Sequence, residues 1–133
     1  MKDCIFCKIV KGEAKSWTVY EDKDVKAFFA INPATLGHTL VIPKKHYEDI
    51  YSLPEEELKK IISVIKKLTL LYKEKLGITE CNILHASGKN AQQSVPHFHM
   101  HIVPRHKNDG LNMWFKEQPQ LSVKFEELLE KLK

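Results

Sequence analysis

At 133 residues and 15.5 kDa, the chain has room for one domain, 1–133, whose core needs no disulfide framework. A composition 43% hydrophobic and 29% charged, with no biased tract, excludes long disorder, and no apolar run approaches the roughly 20 residues of a membrane span. The net charge of +4 comes from dispersed lysines rather than a basic stripe, so nucleic acid is not an expected partner.

The opening segment MKDCIFCKIV lacks the apolar region of a secretory signal, which points to a soluble cytoplasmic protein. Three cysteines are an odd number, and Cys4-x-x-Cys7 suits a metal site or a redox pair in a reducing compartment. WTVYED (17–22), VKAFFAI (25–31) and HTLVIP (38–43) are β-branched and aromatic runs bounded by charged or Pro/Gly breaks, and read as strands. Between the last two, NPATLG is a turn. A long helix follows, with Ser52 as N-cap, Pro54 in the first turn and Glu55 as capping-box partner. Leu58, Ile61, Ile62, Ile65, Leu68, Tyr72 and Leu76 keep its 3.6-residue period, and Gly77 stops it.

CNILHAS (81–87) reads as a strand that takes Cys81 into the core, GKNAQQS (88–94) as a polar loop, and HFHMHIV (97–103) as a further strand. Phe125, Leu128, Leu129 and Leu132 predict a short C-terminal helix, in a tail over about 120–133, docked on the sheet. Strands outnumber helices and are joined by short turns, so the fold class is α+β with a mainly antiparallel sheet.

The run PHFHMHIVPR carries the chemistry. In a strand, His97, His99 and His101 share one face and Phe98, Met100 and Ile102 the other, so the apolar face fixes the register. Neighbouring imidazoles then lie about 6.6 Å apart, close enough for two of them to reach one phosphoryl group. A neutral imidazole can attack phosphorus while its neighbour donates to the developing oxyanion. The competing readings are a half-buried strand that happens to hold histidines, and a structural metal site.

SVPHFHMHIVPR resembles the motif of the histidine triad (HIT) family of nucleotide hydrolases and transferases. CIFCKIVKGE, AFFAINPATLGHTLVIPKKH, AQQSVPHFHMH and DGLNMWF resemble family segments in the family's order, across most of residues 4–115. The resemblance implies a HIT-like fold, a homodimer and a purine nucleotide or nucleotide conjugate as partner. It implies attack by His99 on the α-phosphate to form a nucleotidyl-histidine intermediate, with His101 and Ser94 bonding the phosphate oxygens. Gln93 and Ser87 fall beside them in the substrate loop, and Ile31 is expected to wall the base pocket. His97 either supports the nucleophile or joins Cys4, Cys7 and His46 in a Cys₂His₂ site; with all four positions filled by protein, that zinc is structural.

The chain departs from the family pattern in three places. Ala30 stands where the family has an acidic or amide residue for the ribose, Ser87 where an asparagine would approach the phosphate, and Gln92 where a glycine would. Two functional classes follow: a phosphoramidase or nucleotidyl hydrolase/transferase with a modified sugar pocket, and a catalytically weak nucleotide-binding or interaction module.

Overall fold

The computed structural model describes residues 3–133. Five strands form one antiparallel sheet: β1 (Thr18–Glu21), β2 (Val25–Phe29), β3 (Thr39–Pro43), β4 (Cys81–His85) and β5 (Met100–Pro104), in the order β1-β2-β3-β5-β4. Helix α1 (Ile5–Val10) precedes them, α2 (Glu55–Leu76) links β3 to β4, and α3 (Phe125–Lys131) ends the chain. No helix is long and apolar enough to cross a membrane.

The sheet has two covered faces, which is why VKAFF and TLVIP read as continuous apolar runs rather than alternating ones. Val25, Ala27, Val41 and Ile102 face α2, against Ile61, Val64, Ile65 and Leu68. Phe28, Leu40 and Ile42 face the other way and meet Phe6, Ile9 and the two cysteines at α1. Each face contributes its own cluster of buried side chains, each worth roughly 1.5–3 kcal/mol. Replacing Ile61 by alanine would open the first cluster at a cost of about 2–5 kcal/mol.

The predicted strands and the long helix are all present, with four differences. The α2 N-cap is Pro54, with no side-chain cap. Ser52 is folded back on Asp49, whose carboxylate accepts the N–H groups of Tyr51 and Ser52 (3.1 and 3.0 Å), and its hydroxyl donates to the Asp49 carbonyl (3.3 Å). Asp49 thus captures the serine that the capping pattern assigned to the helix. At the other end Gly77 takes a left-handed conformation (φ 68°), and Ile78 N–H closes the helix onto the Tyr72 carbonyl at 3.2 Å. Helix α1 went unpredicted because six residues cannot show a period.

Cys81 is exposed, not core. It lies on edge strand β4, and the helix that covers the sheet packs on β2 and β3. Helix α3 forms as predicted but does not dock on the sheet: Phe125 and Leu129 are each 56% exposed. The apolar side chains of β2 and β3 are already covered by α1 and α2.

Candidate active site

The triad crosses from loop to strand. His97, Phe98 and His99 precede β5, and His101 lies within it, opposite Leu40 of β3 and Leu84 of β4. The alternation expected of a strand persists through this boundary: Phe98 and Ile102 are buried on the α2 face, and the histidines point to the α1 face. With no ladder to hold it, the His97–His99 backbone takes other partners. Phe98 N–H donates to the Tyr47 carbonyl (2.6 Å), and the His99 carbonyl accepts from Nδ1 of His85 (2.8 Å).

These bonds fix the tautomers. His99 Nδ1 donates to the His97 carbonyl at 2.8 Å, so the lone pair is on Nε2. The Ala34 N–H donates to His38 Nδ1 at 3.0 Å, so the His38 proton is on Nε2 and is donated to His101 Nδ1 at 2.9 Å. His101 is left with its proton on Nε2. One imidazole is therefore set as a nucleophile and its neighbour, 5.0 Å away between ring centroids, as a hydrogen-bond donor. Burial holds both below the ordinary histidine pKa, His101 at about 4 with help from His99 and His38, so both rings are neutral near pH 7.

His99 and His101 open onto a cavity of about 300 Å³ between α1 and the edge of β2. Ile5, Phe6, Ile9 and Phe28 give it an apolar wall; Ala30, Ile31 and Ser94 also line it. Phe6 stands edge-on to His99, with centroids 5.1 Å apart, and fixes the plane of the ring. Ile31 is 67% exposed at the rim. A larger cleft of about 610 Å³ lies beyond Ser94 and Val95, against Cys4 and His46. His99 and His101 are not among its lining residues, so the smaller cavity is the one onto which the two imidazoles open.

Two residues expected at the substrate are used elsewhere. Gln93 braces its own loop, donating to the Glu48 and Val95 carbonyls (2.6 and 3.0 Å) and accepting from Gly88 N–H (2.8 Å). Ser87 accepts from Ile50 N–H (2.9 Å) and donates to His85 Nε2. Neither lines the cavity. Gln92, at the family's glycine position, is held at φ 67°, a conformation that glycine adopts freely.

Cys4, Cys7, His46 and His97 meet on the other side of α1, with one ligand atom from each within 4.8 Å of the rest. His97 Nδ1 lies 3.4 Å from Cys4 Sγ, 3.6 Å from Cys7 Sγ and 3.1 Å from His46 Nδ1; Cys7 Sγ and His46 Nδ1 are 3.4 Å apart. A tetrahedral zinc with ordinary bond lengths requires edges of about 3.3 Å between nitrogens and about 3.5 Å between nitrogen and sulfur, and the cluster fits. His97 Nε2 donates to the Pro43 carbonyl at 2.9 Å, which turns Nδ1 toward the cluster. Cys7 N–H donates to Cys4 Sγ at 3.4 Å, an N-cap that forms the first turn of α1 around the two sulfurs. Burial and the neighbouring Cys4 push the Cys7 thiol pKa up, while burial pulls His97 down to about 4. This set can hold a metal ion.

Two contributors were not legible as functional in the sequence. His38 looked like a turn or core histidine, and only the pairing of β3 with β5 brings it to His101. Its approach depends on Gly37, whose φ of 93° turns the chain and where a Cβ would sit 3.2 Å from Pro104. His85 carries no motif, and its partner is a backbone carbonyl that a sequence does not display.

The HIT domain family matches residues 11–108. The chain belongs to the HIT family. It is 45% identical over 130 residues to an uncharacterized HIT-like protein of Methanocaldococcus jannaschii, covering 98% of each chain. It is 36% identical over 135 residues to an adenosine 5'-monophosphoramidase of Candida albicans, covering 98% of this chain and 89% of that one. Among solved structures, a zinc-bound histidine triad family protein of Mycobacterium smegmatis superposes with a TM-score of 0.79 at 35% identity, over 92% of this chain and 89% of that one.

Proposed function

We propose that this HIT protein cleaves nucleotide conjugates at the α-phosphate, with a purine phosphoramidate or dinucleoside polyphosphate as substrate. The observation that carries the proposal is the pair of fixed tautomers: a neutral His99 Nε2 lone pair and a His101 Nε2–H on one cavity. The relatives named adenosine 5'-monophosphoramidase support it.

In this reading His99 Nε2 bonds to phosphorus as the bond to the leaving group breaks. That group departs with the bonding pair and takes a proton from solvent. His101 Nε2–H and the Ser94 hydroxyl donate to the non-bridging oxygens, an interaction that strengthens as charge develops. Water then attacks the nucleotidyl-His99, its oxygen bonding to phosphorus as the P–Nε2 bond breaks and its proton passing to solvent, and the bonding pair returns to Nε2 of a neutral imidazole. Ile31 and the apolar wall take the base. Gln93 and Ser87 act on the substrate through the loops they brace.

We assign zinc to the Cys4, Cys7, His46 and His97 cluster. When bound it supplies no open coordination position, so its contribution is structural. His97 would pass that order on, because its carbonyl accepts the His99 proton.

A homodimer completes the reading. It is supported by the unpaired edge of β4 and by the exposed apolar residues of the tail, Trp114 and Phe115 among them.

The test is mass spectrometry of protein mixed with adenosine 5'-phosphoramidate and quenched within a turnover. An added adenylyl group that is missing in His99→Ala supports the proposal. Turnover that survives His99→Ala removes it. Metal analysis of protein purified without chelator should give about one zinc per chain, falling in Cys7→Ser.

A further inference from the structure

The reacting cavity has an end that the triad does not use. None of its described lining residues is an aspartate or glutamate, and its one formal charge is Lys15. Lys15 has no carboxylate partner among the described residues, whereas Lys26 on β2 and Lys44 just after β3 both pair with Glu21. Its ammonium lies 5.1 Å from the centroid of the Trp17 ring, an arrangement that orders a cation without neutralising it.

Strand register places this charge. Thr18 pairs with Phe28, and Phe29 N–H donates to the Trp17 carbonyl at 3.0 Å. Continued outward, the ladder sets Ser16 and Lys15 beside Ala30 and Ile31. Ala30 follows Phe28 on the α1 face, the cavity's face, and its methyl group offers no acceptor to a sugar hydroxyl. Asn32 adds an amide to the same wall. His101 lies on β5, two strands over from β2, a span of about 10 Å at ordinary strand spacing. The cavity thus presents donors at two separated places, the histidines and the Lys15 wall, and repels anions at neither.

We propose that the physiological ligand is a nucleotide carrying a second phosphate on its ribose. Its 5'-phosphoryl group sits at His99 and its 2'- or 3'-phosphate is received by Lys15, Ser16 and Asn32. The proposal rests on the nucleotide reading above. The physical logic is general: a carboxylate in a sugar subsite reads free hydroxyls and rejects a phosphate, while a small residue with a nearby cation does the reverse.

The experiment is calorimetric titration of the full chain with AMP, 5'-ADP, 2',5'-ADP and 3',5'-ADP. 5'-ADP matches the bisphosphates in charge and separates a ribose-phosphate site from general attraction to anions. One ribose bisphosphate should bind at least about tenfold tighter than 5'-ADP. Lys15→Glu should remove that advantage, and Ala30→Asp should invert it in favour of AMP. If AMP or 5'-ADP binds as tightly as both ribose bisphosphates, this proposal is overturned and the nucleotide reading stands. If none of the four binds, both are overturned.

Discussion

The hydrogen bond between His38 and His101 offers the sharpest test of the site's logic. His38 Nε2 lies 2.9 Å from His101 Nδ1, and the Ala34 N–H behind it dictates which ring carries which proton. His101→Ala removes the donor to the phosphoryl oxygen itself, and loss of one such donor costs about 10²- to 10³-fold in kcat. His38→Ala leaves that donor in place but orphans a half-buried nitrogen and removes the bond that selected the Nε2–H tautomer. An unsatisfied buried acceptor costs about 1–3 kcal/mol, so kcat/KM should fall about 10- to 100-fold. Because the second effect acts only through the first, the losses should not add. In the His101→Ala background, removing His38 should cost less than about threefold, a coupling of roughly 1–2 kcal/mol. The assay is steady-state hydrolysis of adenosine 5'-phosphoramidate by both single variants and the double variant, each shown to be folded by thermal melting. Losses that multiply would refute the relay and show that His38 meets the substrate on its own account.

Further outcomes follow from particular contacts. Gln92→Gly relieves a left-handed backbone worth about 1–2 kcal/mol and returns about 0.5–1 kcal/mol of unfolded-state entropy. Urea unfolding should therefore show a net gain of roughly 0.5–1 kcal/mol, and a loss would mean that the Gln92 side chain contributes something its exposure conceals. His85→Ala should lower kcat about tenfold with little change in KM, since His85 holds the His99 carbonyl at 2.8 Å and lies outside the cavity; His85→Gln should recover part of it. Burial sets the folded-state pKa of His101 at about 4, below the ordinary value of 6.5, so the unfolded chain binds the proton first. That contribution to stability is complete above pH 6.5 and is lost as the pH falls toward 4, by roughly 1–3 kcal/mol. His101→Gln should flatten this part of the profile in urea titrations between pH 7 and 4, and an unchanged slope would show that the ring is not buried neutral.

The sequence displays what periodicity and composition can encode. The strands follow from β-branched and aromatic runs between Pro/Gly and charged breaks, the face of α2 from a period of 3.6 and the division of the triad from its apolar neighbours from a period of two. The family resemblance of Cys-x-x-Cys and PKKH pointed to the four residues that meet in the cluster. What stayed hidden depends on tertiary choices. Ser52 satisfied every local rule for a helix cap and lost to Asp49, which holds the Ser52 N–H and accepts from its hydroxyl in an earlier turn. Cys81 looked like core because its strand is apolar, but burial depends on where the covering helix stops. The apolar stripe of α3 was read as docked on the sheet, and its residues stand exposed instead.

The functional segment also explains why His38 and His85 escaped notice. A nucleophile inside a β-ladder would have its backbone fixed by strand neighbours, and its support would be as regular as the sheet. His99 lies just before the ladder begins, so each support comes from a different element: Pro43 and the Cys₂His₂ cluster hold His97, Tyr47 holds Phe98, and His85 and Phe6 hold His99. His101, two residues on, has the ladder and needs only its proton placed, which His38 does. His99 is thus positioned by long-range contacts and His101 by local sheet geometry. Under the proposed function, that division gives the Cys₂His₂ cluster its part: with a metal bound, it would fix the one stretch of the triad that the sheet does not.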